Sequence, residues 1–239
     1  MSASSATWRD WLVLQEPTTS VQAAAQACWR FWLIFTRQRL GLIGLAIILL
    51  LILCAIGAPL LATHDPLAQD MPIRLQPPSA EHWFGTDNFG RDVYSRIIYG
   101  TRTTLQVVVL VTVIVAPLGL LIGATAGYVG GLADEVLMRV TDIFLAFPGL
   151  ILAMGFVAAL GPGLGNAIVA IALTAWPPIA RLARAESLTV RGSDYIAAAR
   201  LQGSPASRIV IRHVIPMCLP SVIVRATLNM AGFLLTAAG

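Results

Sequence analysis

Side chains able to carry chemistry are few in this sequence, and their spacing argues against most reactions. The histidines are His64, His82 and His213, and the cysteines are Cys28, Cys54 and Cys218. The histidines lie far apart, none in an HExxH pattern, and three cysteines with two inside apolar runs form neither a disulfide framework nor a zinc site. No GxxxxGK[ST] phosphate loop is present, and no Ser/His or paired-carboxylate arrangement supports an enzyme. The expectation is a chain with no catalytic site, metal or cofactor of its own. Three charged places stand out: Asp87, Arg91 and Asp92 in one polar stretch, residues 191–216 in another, and Arg225 alone in apolar surroundings.

Residues 191–216 have internal order. Asp194 can cap a helix running through Tyr195, Ile196, Ala197, Ala198, Ala199, Arg200 and Leu201, all acceptable or good helix formers. Gly203 supplies a corner that a Cβ obstructs, and Ser204-Pro205 has the signature of a second helix start. That second helix should run through Ile209, Val210 and Ile211 to Pro216, where the next apolar run begins. Alanines allow close approach, so such a hairpin suits docking in a partner's groove. An ordinary interfacial hairpin is the alternative.

The elements holding these groups are membrane spans. Hydrophobic residues make up 57% of the 239 and charged ones 12%, with mean hydropathy +0.77; soluble chains carry roughly 25% charged residues. The basic residues are 16 arginines, too scattered for a nucleic-acid surface at a net charge of +4. Runs of about 20 apolar residues cross the bilayer, and five are visible: 40–62, 104–126, about 140–160, 166 to about 180, and 216–239. Asp142 opens the third, at its cytoplasmic mouth, and Pro148-Gly149 interrupts it. Trp176-Pro177-Pro178 should end or kink the fourth.

Eleven arginines then fall on the side of the N-terminus and four on the other, which places the N-terminus in the cytoplasm. Residues 63–103 become an external loop and 181–215 a cytoplasmic one. Residues 1–39 form a cytoplasmic segment, in which Val21–Phe35, with Trp29 and Trp32, reads as an interfacial helix or as a continuation of the first span. Residues 40–239 form the transmembrane domain. Arg225 lies roughly 13 Å past Pro216 along a helix, with Asn229 one turn on and on the same face. A charge there faces a pathway or a partner: Arg225 and Asn229 either line a route for substrate or pack inside the bundle.

The polar blocks resemble a known family. Importer permeases share a cytoplasmic loop of the form Glu-Ala-Ala, three residues, Gly, nine residues, then Ile-x-Leu-Pro. Ala197-Ala198-Ala199, Gly203, His213, Ile215 and Pro216 stand at those spacings, with Ala197 replacing the glutamate and His213 the first isoleucine. The histidine is similar to the peptide and nickel branch. Gly85-Thr86-Asp87 and Gly90-Arg91-Asp92 look like the GTDxxGRD signature of the C-type permease of dipeptide and oligopeptide importers. Thr63-His64-Asp65-Pro66 and Met138–Gly149 are similar to that family as well, so the resemblance runs from about Arg37 to Gly239.

The resemblance implies an all-α polytopic bundle of the type I ABC importer permease kind in the bacterial inner membrane, with a sixth span beyond the five visible. It implies a second permease, two ATPase subunits that hold ATP and Mg2+ and grip the 181–215 loop, and an extracytoplasmic binding protein. Peptide is the expected substrate, with nickel or another small solute as the alternative and ion-coupled secondary transport as a more distant one. Asp87, Arg91 and Asp92 either contact the binding protein or form an ion-paired turn, the second being preferred.

Overall fold

The computed structural model describes residues 20–238; residues 1–19, with Arg9, and the terminal Gly239 lie outside the described part. The chain divides into two compact units, residues up to 102 and residues from 103.

In the first unit, α1 (Ser20–Thr36) and α2 (Arg39–Leu61) are separate helices. Gln38 between them is extended, at φ −94° and ψ 102°, so α1 does not continue the first span. The uncharged run from Leu40 makes α2 long enough to cross a bilayer. The loop that follows, residues 62–92, has a single 3-10 turn (Met71–Ile73) and an antiparallel bridge from Thr86 to Asp92. Gly85 (φ +73°) and Gly90 (φ +72°) turn the chain where a Cβ would overlap the backbone of Gln76 and Asp70. These glycines let the loop close on itself: the Leu75 N–H donates to the Asp87 carbonyl at 3.1 Å and the Asp70 N–H to that of Phe89 at 3.1 Å.

Helix α3 (Val93–Val129) begins 11 residues before the apolar run and spans 37 residues, about 55 Å. The second unit then contains α4 (Gly131–Ala146), α5 (Gly149–Leu160), α6 (Leu164–Ala175), α7 (Pro177–Arg191), α8 (Asp194–Leu201), α9 (Ala206–Ile209) and α10 (Ile215–Ala238). Among the described residues there is no strand, and four helical runs are long and apolar enough to cross a membrane, or five if a bent pair counts as one span.

That pair corrects the expected third span. Helices α4 and α5 meet at 91°. Pro148 offers no N–H and forces the residue before it out of the helical region, and Phe147 accordingly stands at ψ 144°. Trp176-Pro177-Pro178 behaves differently. Trp176 stays helical, the prolines occupy the first turn of α7 where no N–H is required, and Leu164–Arg191 runs on as one 28-residue apolar helix. The expected loop 181–215 is therefore shortened, since 181–191 is helix.

The core of the second unit draws on α3, α6, α7, α8 and α10, and one of its seams joins α3 to α7. Gly119, Gly123 and Gly127 recur every four residues and so share one face of α3. A Cβ on Gly119 would lie 2.8 Å from Ile179, one on Gly127 2.7 Å from the Arg184 carbonyl, and one on Gly123 would overlap the Ala180 carbonyl. The backbones therefore pack in direct contact, as small residues at this spacing allow in lipid. Ser187 Oγ, fully buried, donates to the Ala124 carbonyl across the seam at 2.9 Å.

Candidate functional site

Helices α8 and α9 form a hairpin between the long helices α7 and α10. Ser193, not Asp194, occupies the N-cap position, with Asp194 in the first turn. Pro205 likewise sits just ahead of α9 rather than inside it; both starts shift by one residue, within the usual uncertainty of helix ends. Gly203 makes the corner at φ +75°, a region that costs other residues about 1–2 kcal/mol. The second helix does not stop at Pro216. It passes through a π turn (Val210–Val214) into α10, so that 206–237 is one helical run. Proline at the start of α10 is tolerated because the wider turn ahead of it frees the local hydrogen-bond pattern.

The hairpin has two faces. Ile196 and Ala199 are buried in the core cluster together with Ile209, Val210 and Val214. Asp194, Tyr195, Ala197, Ala198 and Leu201 are exposed, Leu201 at 90%. Leu201 and the neighbouring alanines thus give the hairpin an apolar outer face. His213 and Tyr195 hydrogen-bond, Nδ1 to Oη at 2.6 Å, which joins the two arms of the hairpin. Arg200 Nε donates to Tyr128 Oη at 3.2 Å and its guanidinium lies 5.1 Å from that ring, tying α8 to the end of α3. Arg200, Leu201 and Tyr128 were not singled out from the sequence. Leu201 carried a readable signal, one apolar residue at the end of a short helix, whereas Tyr128 lies 72 residues from its partner.

Charged pairs link α7 to α4. Arg184 makes a bidentate contact with Asp134, at 2.5 and 2.6 Å, and Arg181 Nη2 donates to Asp142 at 2.6 Å. Asp142 is thus the partner of a specific arginine as well as a polar end to an apolar run. Arg225 is exposed and Asn229 half-buried, one turn apart on α10. Asn229 lines a pocket with Gly149, Thr174, Pro178 and Thr236, at the corner between α4 and α5.

In the first unit, the six motif residues Gly85, Thr86, Asp87, Gly90, Arg91 and Asp92 fall within the compact loop. Thr86 Oγ1 donates to the Ile73 carbonyl and accepts the Gln76 N–H at 2.9 Å. Asp87 receives the N–H groups of Phe89 and Arg91 at 2.9 and 3.0 Å, the Arg91 Nε at 2.8 Å, and the Arg96 guanidinium. Its partial removal from water opposes ionisation, but the Arg91 side chain and these backbone donors outweigh that and hold its pKa at about 2. Asp92 caps α3 by accepting the Ser95 N–H at 2.7 Å, and it pairs with His82 Nδ1 at 3.0 Å. Burial works against its charge as well, yet the Ser95 and His82 hydrogen bonds and the neighbouring His64 keep the carboxyl below the usual range. His64 and His82, which look scattered in sequence, meet with ring centroids 4.6 Å apart and planes tilted by 37°. Both carboxylates find their partners within the loop and the first turn of α3.

Residues 119–239 match the family model described as the binding-protein-dependent transport system inner membrane component. Residues 28–78 match the N-terminal TM domain of oligopeptide transport permease C. The chain is 44% identical to a dipeptide transport system permease protein of Alkalihalophilus pseudofirmus, over 84% of this chain and 66% of that protein. It is 44% identical to a probable D,D-dipeptide transport system permease protein of Escherichia coli, over 80% of this chain and 64% of the relative. A nickel transport system permease protein of Escherichia coli is 41% identical over 82% of this chain and 71% of its own length. The chain thus spans about two thirds of the length of these relatives.

Proposed function

The chain belongs to the family of binding-protein-dependent transport system inner membrane components, and from that premise we propose that it is the permease subunit of an ATP-driven peptide importer, coupled to its ATPases through the α8–α9 hairpin. One observation carries the coupling. A short helix with an exposed face of Tyr195, Ala198 and Leu201 is anchored by Ile196 and Ala199 between two long apolar helices. In this reading the hairpin and the N-terminus are cytoplasmic, and the loop 62–92 faces the binding protein's side.

Mechanics follow from the attachments. A partner that grips Tyr195, Ala198 and Leu201 pushes on α8. The push passes through Arg200 to Tyr128 at the end of α3, and through His213 into the continuous run of α9 and α10. Closing and opening of two such chains around a shared route is a rigid-body motion of packed helices, with ATP and Mg2+ held by the partner subunits. Arg225 and Asn229 lie on the route in this reading, where a guanidinium can receive a peptide carboxylate.

A nickel or other small-solute cargo is the second reading, favoured by the nickel permease among the relatives. Substrate selection then rests with the binding protein, and the ligand that copurifies with it distinguishes the two.

The coupling test uses Ala198→Cys in a background with Cys28, Cys54 and Cys218 replaced. Under turnover, a bifunctional thiol reagent should join position 198 to a nucleotide-hydrolysing subunit. A crosslink found only to lipid or to another copy of this chain removes the coupling role.

A further inference from the structure

The loop between α2 and α3 carries a cluster that transport mechanics does not use. We propose that His64, His82 and Asp92 form a binding site for a transition-metal dication of the zinc, nickel or copper class. One donor atom from each of the three residues lies within 4.8 Å of the others. A tetrahedral ion with bonds of about 2.0–2.1 Å spaces its ligands about 3.4 Å apart. Binding therefore asks the donors to close by roughly an ångström, a movement that rotation of the more accessible His64 ring can supply.

The donor set selects the metal. Two imidazoles and one carboxylate suit borderline dications, whereas calcium and magnesium take oxygen ligands. Three protein ligands leave further coordination positions for water or a solute group.

The surroundings hold the ligands in place. Asp92 Oδ2 accepts the Ser95 N–H at 2.7 Å, and Oδ1 pairs with His82 Nδ1 at 3.0 Å, a hydrogen bond whose proton a metal ion would displace to solvent. The His82 N–H donates to Ser79 Oγ at 3.0 Å, and the His64 N–H donates to Ser95 Oγ at 3.0 Å. Thr63 Oγ1 lies 3.0 Å from His64 Nδ1, a partner for that ring nitrogen. The two backbone bonds hold the chain that carries the ligands, and the Thr63 contact bears on the His64 ring itself. His82 and Asp92 are buried, at 7% and 2% exposure, so two of the three ligands are fixed before metal arrives.

A bound ion would clamp three stretches that are separate in sequence: the exit of α2 at His64, the middle of the loop at His82, and the start of α3 at Asp92. It would act as a resident clip on the loop, independent of the cargo and of the hairpin. The inference goes beyond the transport reading and stands without it.

The experiment uses the full chain, purified through a tag free of histidine, reconstituted in nanodiscs, with the three cysteines replaced and metal stripped by chelator. Zn2+ or Ni2+ is added at micromolar concentration, the free ion removed, and bound metal counted by mass spectrometry. Retention of about one equivalent per chain, with affinity at least tenfold weaker in His64→Ala, is the expected result. X-ray absorption of the nickel form should show only nitrogen and oxygen neighbours. His64→Ala removes an accessible side chain whose loss leaves the Asp92–His82–Ser95 hydrogen bonds intact, and circular dichroism checks its fold. No retained metal, or equal retention in wild type and His64→Ala, overturns the proposal.

Discussion

Asp87 concentrates four donors on one carboxylate, and its depressed pKa gives the loop a pH limit. An unfolded aspartate titrates near 3.9, and this one is held at about 2. Its contribution is complete above the unfolded value and is lost as pH falls from about 4 through about 2. Amide exchange across residues 86–96, corrected for intrinsic rates, should accelerate at least tenfold between pH 5 and pH 2.5. Asp87→Asn should exchange at the faster rate at both pH values; protection equal to wild type at pH 5 would refute the dependence. Arg225 offers a second residue-level measurement. If its guanidinium receives a peptide carboxylate, Arg225→Gln should raise KM for uptake about tenfold or more, since hydrogen bonds to charged groups are worth about 1.5–3 kcal/mol. Unchanged KM and rate take Arg225 off the route.

Among the elements, the α3–α7 seam makes the sharpest prediction. Gly123→Ala places a methyl group onto the Ala180 carbonyl, and overpacking of this kind costs about 1–3 kcal/mol. Gly155 and Gly100 have nothing within 4 Å of an added Cβ, so alanine there should leave thermal stability in detergent equal or slightly raised. A Gly123→Ala protein as stable as wild type would mean that the two backbones do not touch. The seam left a signal that the sequence analysis missed, three glycines at intervals of four, a spacing that lets helix backbones touch in lipid. The hairpin was legible because Gly203 breaks a run of helix formers at one defined place. The angle between α4 and α5 was not legible. Pro148 marks where the helix must break, but the charge on α4 and its absence from α5 set no direction for the bend. The π turn at 210–214 left no composition signal either, since Val210, Ile211 and Val214 suit an α-helix equally.

At the scale of the molecule, tertiary partners separate the groups that look functional alone from those that are paired. Asp134 and Arg184 stand 50 residues apart, and no local pattern could have joined them. In a double-mutant cycle, Asp134→Asn and Arg184→Gln should each destabilise the chain, with a coupling energy of about 1–3 kcal/mol. A coupling near zero would make the pair incidental. The loop and the hairpin likewise draw their order from contacts that only the folded chain provides. The corner at Phe147-Pro148 has a further effect on the environment the protein needs. The last carbonyls of α4 and the first amides of α5 lack partners within their own helices. Oil cannot solvate bare peptide groups, so this elbow has to be wetted or sheathed by polypeptide, and hydrocarbon tails are kept from the level at which α4 gives way to α5.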